Sequence, residues 1–150
     1  VTQIILDIGN LIDFRGVKLF RRQLNIELRK ANREGANEIV DFARDMIKNG
    51  PRRSGVLRRN VAKGSKRRIR SSARGEWPKE RTGRLRRSIK RIFKSGQLES
   101  EIGSNLDYAE ILESPKLDRE HITRAAREKE PFFQKLAERA VRRAAKKAGR

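Results

Sequence analysis

RTGRLRRSI, residues 81–89, sets four arginines around one glycine and two large apolar side chains, Leu85 and Ile89. Three readings compete for it: a grip on nucleic acid, a flexible basic linker, or a turn leading into a strand. Thr82-Gly83 has the chemistry of a turn, because glycine enters backbone conformations closed to other residues and threonine hydroxyls bond locally. Leu85 and Ile89 then read as inward anchors of a segment entering a sheet, with the arginines between them facing outward. An echo lies 28 residues upstream. RSGVLRRNV (53–61) repeats the pattern Arg-Ser/Thr-Gly-x-Leu-Arg-Arg-polar-apolar. Two copies fall short of a solenoid, which needs at least three stacked units. The echo therefore predicts one local device used twice, a turn that launches an extended, basic-edged segment.

Downstream, short apolar and polar runs at Ser88–Phe93 and Leu98–Ile102 flank Ser95-Gly96, a hairpin signature with its turn near Lys94–Gln97. Residues 107–113 (DYAEILE) fit either a strand or a helical turn, and Pro115 stops them. Residues 117–130 are polar with a thin apolar stripe. Pro131 then opens an amphipathic helix whose face carries Phe133, Leu136, Ala137, Ala140, Val141, Ala144 and Ala148. Arg142, Arg143, Lys146 and Lys147 lie near its end, where cations favour the helix dipole.

Upstream, residues 2–8 (TQIILDI) read as a short strand broken by Gly9-Asn10. From about Val17 to Lys48 the period becomes helical. Phe20, Leu24, Leu28, Ala31, Ala36, Ile39, Ala43, Met46 and Ile47 mark one face. Gly35 inside this helix predicts a kink or a close contact. Asn49-Gly50-Pro51 ends it. Residues 51–75 hold ten Lys/Arg and no acid, with only Val56, Leu57, Val61 and Ile69 as sizeable apolar side chains. They read as a long basic loop, and the basic extension as a whole runs over 51–80. The fold class that follows is α+β: a long N-terminal helix and a C-terminal amphipathic helix packed on a small antiparallel sheet.

Length and composition bound the rest. The 150 residues suit one domain, spanning 1–150. With 39 Lys+Arg against 19 Asp+Glu the formal charge is +20, and a compact chain with that excess repels itself, so it suits a polyanion or acidic neighbours. Hydrophobic content of 35% is low for a free-standing globule, which points to stability shared with partner subunits. The absence of cysteine excludes disulfides and thiol chemistry. The longest apolar run, Ile4-Ile5-Leu6, is far short of a membrane span, and the start lacks the pattern of a signal peptide. These features predict a soluble protein made inside the cell, with no membrane partner.

Chemistry has little to build on. No HExxH, GxxxxGK[ST] or GxSxG pattern occurs. The lone histidine, His121, sits in a polar stretch and reads as a solvated surface residue. Acids such as Glu34 and Glu38, at helical spacing from Arg33 and Lys30, read as solvated faces. No catalytic residue, metal ligand or cofactor is expected. The basic residues offer two readings that stay open: phosphate contact, sequence-independent for want of a recognition motif, or an interface with acidic subunits. The candidate contact residues are Arg52, Arg53, Arg58, Arg59, Lys66, Arg67, Arg68, Arg84, Arg86 and Arg87, with Tyr108, Glu110 and Glu113 downstream. Trp77 is a candidate too, although a tryptophan beside Pro78 in a polar loop favours a packing anchor.

Three blocks carry a resemblance. GEWPKERTGRLRRSI (75–89) looks like the Gly-x-x-Pro…Thr-Gly-x-Leu-x-x-Ser-Ile segment of the tail-completion (neck) proteins of tailed bacteriophages, relatives of the lambda minor tail protein Z. IGSNLDYAEILE (102–113) is similar to that family's Ile/Val-Gly-Ser/Pro…Tyr-Ala-x-x-x-Glu segment, and EPFFQKLAERA (130–140) resembles the start of its last helix. The blocks occur in the family's order. The chain departs from it at Ser114-Pro115-Lys116, at Glu130, and in a longer, more basic 51–75. The resemblance implies a structural virion protein without enzymatic activity, made in the host cytoplasm and placed at the head–tail junction. It also implies a homo-oligomer, commonly a hexameric ring around the DNA passage. Such a ring would meet portal or adaptor proteins on one side and tail-terminator or tail-tube proteins on the other, with nonspecific contact to packaged DNA. A hexamer would carry about +120. The alternatives are a basic, sequence-independent nucleic-acid-binding protein and an assembly factor absent from the finished particle.

Overall fold

The computed structural model describes residues 14–59, 68–93 and 98–149. The expected strand at 2–8, the hairpin turn at 94–97, and Val61, Lys66 and Arg67 lie outside them. A long helix, α1 (Phe14–Asn49), opens the described chain. It ends as its sequence requires: the Gly50 amide donates to the Met46 carbonyl at 3.1 Å, and Pro51 cannot continue the turn. The last helix, here α4 (Ile122–Ala148), runs antiparallel along it. The pairing is readable in two ion pairs whose order reverses between the helices, Glu38 with Lys129 and Glu27 with Lys147 at 2.6 Å. Gly35 supplies the expected close contact. A Cβ there would lie 2.3 Å from the Phe133 ring, so glycine lets that ring rest against α1.

Between these helices come β1 (Leu57–Arg59), β2 (Arg68–Arg70), the short helix α2 (Arg84–Ser88), β3 (Ile89–Phe93), β4 (Ser100–Ser104) and α3 (Asp107–Glu113). The strands form two separate antiparallel pairs. β3 and β4 are in the register Ile89↔Ser104 to Phe93↔Ser100, which is the hairpin the sequence predicts. β1 and β2 pair Leu57↔Arg70 and Arg59↔Arg68, so part of the expected basic loop is a two-stranded arm. Its strands are three residues long and basic, without alternation that sequence reading could detect. The Gly55 amide donates to the Ser71 carbonyl, and the Ser71 amide returns a bond to Val56, closing the base of the arm.

Two apolar clusters hold the helices together. The larger joins Val40, Ala43 and Ile47 of α1 to Trp77, Leu85, Ile89, Ala109 and Ala125. The smaller joins Ala31 to Leu136 and Ala140, with Leu28 and Phe132 packed against it. Three expectations are corrected here. The segment launched at Thr82-Gly83 is first a helical turn, with Gly83 in the left-handed region at φ 74, and becomes extended only from Ile89. α4 begins at Ile122 and carries Pro131 in its interior rather than at its start. Its first turn is capped from outside. The Glu113 carboxylate accepts the amides of His121, Ile122 and Thr123 at 2.6–3.3 Å and the Thr123 hydroxyl at 2.6 Å, satisfying amides that no local side chain reaches. His121 is fully buried rather than solvated, and its Nδ1 lies 3.2 Å from the same carboxylate.

Candidate interaction surface

The predicted contact residues divide into those the fold consumes and those it leaves outward. Arg53 is 4% exposed. Its guanidinium donates to the Met46 carbonyl at 2.8 Å, to Pro51, and to Pro78 at 3.4 Å, tying the end of α1 to the loop before α2. Burial pushes this guanidinium below its ordinary value, with Glu76 opposing. Trp77 is 2% exposed, its ring edge-on to Phe42 at 5.8 Å, and the Arg124 guanidinium covers it at 5.2 Å. It is an anchor and offers no surface. Glu113 is spent on α4. Burial alone would raise its carboxyl, but the Thr123 hydroxyl and the His121 and Ile122 amides together hold it below its ordinary value. His121 is also held low, by burial first, with Glu113 opposing. The pair is therefore a carboxylate beside a neutral imidazole at neutral pH.

Glu76, unmarked by any sequence motif, organises the loop between the arm and α2. It accepts the Ser54 hydroxyl at 2.6 Å, the Ser54 amide at 3.0 Å and the Ala73 amide at 2.8 Å. These bonds, the Ser54 hydroxyl first, hold its carboxyl below its ordinary value. Arg86 is half-buried and pairs with Glu80 at 3.1 Å. Arg87 donates to the Thr82 carbonyl at 3.1 Å. Arg52, Arg58, Arg68, Arg84, Tyr108 and Glu110 are exposed. Arg59 lies on β1, and Lys66 and Arg67 fall outside the described residues.

Four of the candidates meet. Arg58, Arg84, Arg86 and Tyr108 line one groove of about 490 Å³ between the arm, the end of α1, α2 and α3. Its apolar lining is Ile47, Ile69, Pro78, Leu85 and Leu112, and Lys79, Arg81 and Arg119 add charge. Arg58, Arg81 and Arg84 form no ion pair among the described residues. Glu80 is the single acid among the described residues of the lining, and Arg86 already engages it. The groove is thus an apolar floor under a rim of unneutralised arginines. That combination suits an acidic ligand bearing aliphatic side chains, since bare phosphate gains nothing from the floor. The sequence points to half of the charged rim, Arg58, Arg84 and Arg86, but not to Arg119 or to Ile47, Ile69 and Leu112 of the floor, which come from separate segments and share no local signal.

Among the described residues, no group of three or more His, Cys, Asp or Glu side chains is placed to hold a metal ion, and no helix is long and apolar enough to cross a membrane. Comparisons with models of known protein families, with curated proteins and with solved structures find no match.

Proposed function

We propose that this chain is a structural, non-enzymatic subunit of a bacteriophage neck, completing the tail or joining head to tail as a ring around the DNA passage. The observation that carries this reading is the convergence of the resembling segments. Trp77, Leu85 and Ile89 of the first block and Ala109 of the second belong to one buried cluster against α1. Glu113, the last residue of the second block, caps the helix that carries the third. Leu85, Ile89 and Ala109, which carry part of that likeness, are internal here, where packing constrains side chains most tightly, while Tyr108 of the same blocks is exposed.

The excess charge fits the same role. Arg58, Arg68 and Arg70 on the arm and Arg81 and Arg84 beside α2 are exposed, where acidic neighbours or passing phosphates could meet them. The partners of the neck reading are copies of the chain itself, portal or adaptor proteins, and tail-terminator or tail-tube proteins.

Silencing the gene in the phage that encodes it is the test. Filled heads and unjoined tails should accumulate, and purified protein added back should restore joining. Joined particles at normal yield without the chain would overturn the reading. The competing reading, a sequence-independent nucleic-acid binder, predicts that the purified chain binds duplex DNA with an affinity that falls steeply with salt.

A further inference from the structure

We infer that the arginine-rimmed groove is the seat for residues 2–13 of a second copy of this chain, so that copies join through an exchanged N-terminal segment. The inference deepens the ring in the neck reading, and its chemistry stands on the groove alone.

The occupant follows from charge, composition and reach. The groove asks for an acidic segment with aliphatic side chains. Residues 2–13 (TQIILDIGNLID) carry Ile4, Ile5, Leu6, Ile8, Leu11 and Ile12 with Asp7 and Asp13, and no base, in a chain of +20. The other base-free stretches of ten residues or more, 34–43 and 95–115, are committed to α1 and, over the described part of the second, to β4 and α3, and the second supplies part of the groove itself. In an extended segment alternate side chains face opposite ways. Bound extended, Leu6 and Ile8 of the second copy would share the side that meets the floor, and Asp7 would meet the rim of Arg58, Arg81 and Arg84.

A chain cannot fill its own groove. Phe14 opens α1 and Ile47, near its other end, lines the groove. At 1.5 Å per helical residue the two are about 50 Å apart. Leu6, eight residues before Phe14, reaches at most about 28 Å even when fully extended. The segment that matches the groove is therefore available to it only from another molecule. An exchange of this kind gives a head-to-tail contact, which closes into a ring when the rotation permits.

The test uses the full chain, which has no native cysteine. One preparation carries Leu6→Cys and a second carries Tyr108→Cys, at a groove residue that is 41% exposed. Mixed and mildly oxidised, they should form a mixed disulfide in large excess over a control pair of Leu6→Cys with Ile92→Cys, which is exposed on β3. Absence of that excess overturns the inference, whether the groove takes DNA, a foreign acidic peptide or nothing. A doubly substituted chain that closes the bond within a monomer overturns it too. A charge exchange gives a second reading that the exposed site of Arg84 should tolerate without unfolding. Asp7→Arg should weaken self-association at least tenfold by sedimentation, and adding Arg84→Glu should recover most of the loss. No recovery contradicts the pairing. A chain found in the neck whose cysteines fail to pair retires this contact and leaves the neck reading standing. Pairing in solution by a chain that plays no part in joining does the reverse.

Discussion

RSGVLRRNV and RTGRLRRSI share a local pattern, and the described part of the first, residues 53–59, folds in the opposite sense to the second. In the first, the leading arginine is buried and the leucine is outside: Arg53 braces the end of α1, while Leu57 is 47% exposed on β1. In the second, the leading arginine, Arg81, is outside, and Leu85 and Ile89 enter the core through a helical turn. The glycines differ as well. Gly83 has φ 74, whereas Gly55 lies where a Cβ would meet the Ser71 carbonyl oxygen at 2.5 Å. One glycine supplies a backbone conformation and the other supplies room for a neighbouring strand. A pattern rich in arginine and poor in apolar side chains leaves strand and helix close in energy locally, and the partners each copy meets decide between them.

Substitutions can break or sharpen that contrast. The largest difference should be at the apolar positions. Ile89→Ala removes a fully buried side chain and should cost about 2–5 kcal/mol in urea unfolding, whereas Leu57→Ala should stay within about 0.5 kcal/mol. Equal costs would mean that the first copy is as embedded as the second. The arginines should reverse the order. Arg53→Ala breaks the bonds to the Met46 and Pro78 carbonyls and should cost about 1–3 kcal/mol, while Arg81→Ala should be near neutral.

The glycines come next. Gly83→Ala places an L side chain in the left-handed region and should cost about 1–2 kcal/mol of global stability. Its Cβ meets only the flexible ends of Arg87 and Glu80, so contact adds little. Gly55→Ala meets backbone. It should unhook the arm, seen as faster hydrogen exchange of the Gly55 and Ser71 amides with little change in the global melting point.

The smallest effect is one of pH, and it bears on the core the second copy enters. His121 and Glu113 both titrate below their ordinary values in the folded chain. The unfolded chain therefore binds the extra proton more readily, and stability falls as pH falls. The part owed to His121 is complete above about pH 6.5 and declines below it, and the part owed to Glu113 declines below about pH 4.5. Urea midpoints measured from pH 8 to pH 4 should show the upper decline, and a His121→Leu chain should lose it.

What could be read from the sequence is what depends on neighbours in sequence. The long helix was legible because Leu28, Ala31, Ala43 and Ile47 recur at helical spacing, and the β3–β4 hairpin because Ser95-Gly96 divides two short runs. The start of α4 was not, because its cap, Glu113, lies eight residues before His121 and reaches the amides through space. The burial of His121 and Arg53 follows from the same kind of distant contact. Half of the groove's rim could be named from charge alone, while its floor, drawn from α1, β2, α2 and α3, exists only once the chain has folded.

The proposed place in a phage neck is tested most directly by quantitative mass spectrometry of purified virions with a map of the head–tail junction. The neck proposal predicts this chain at the junction, in a copy number that closes a ring, commonly six. Virions that lack the chain, or carry it anywhere other than the junction, would contradict it.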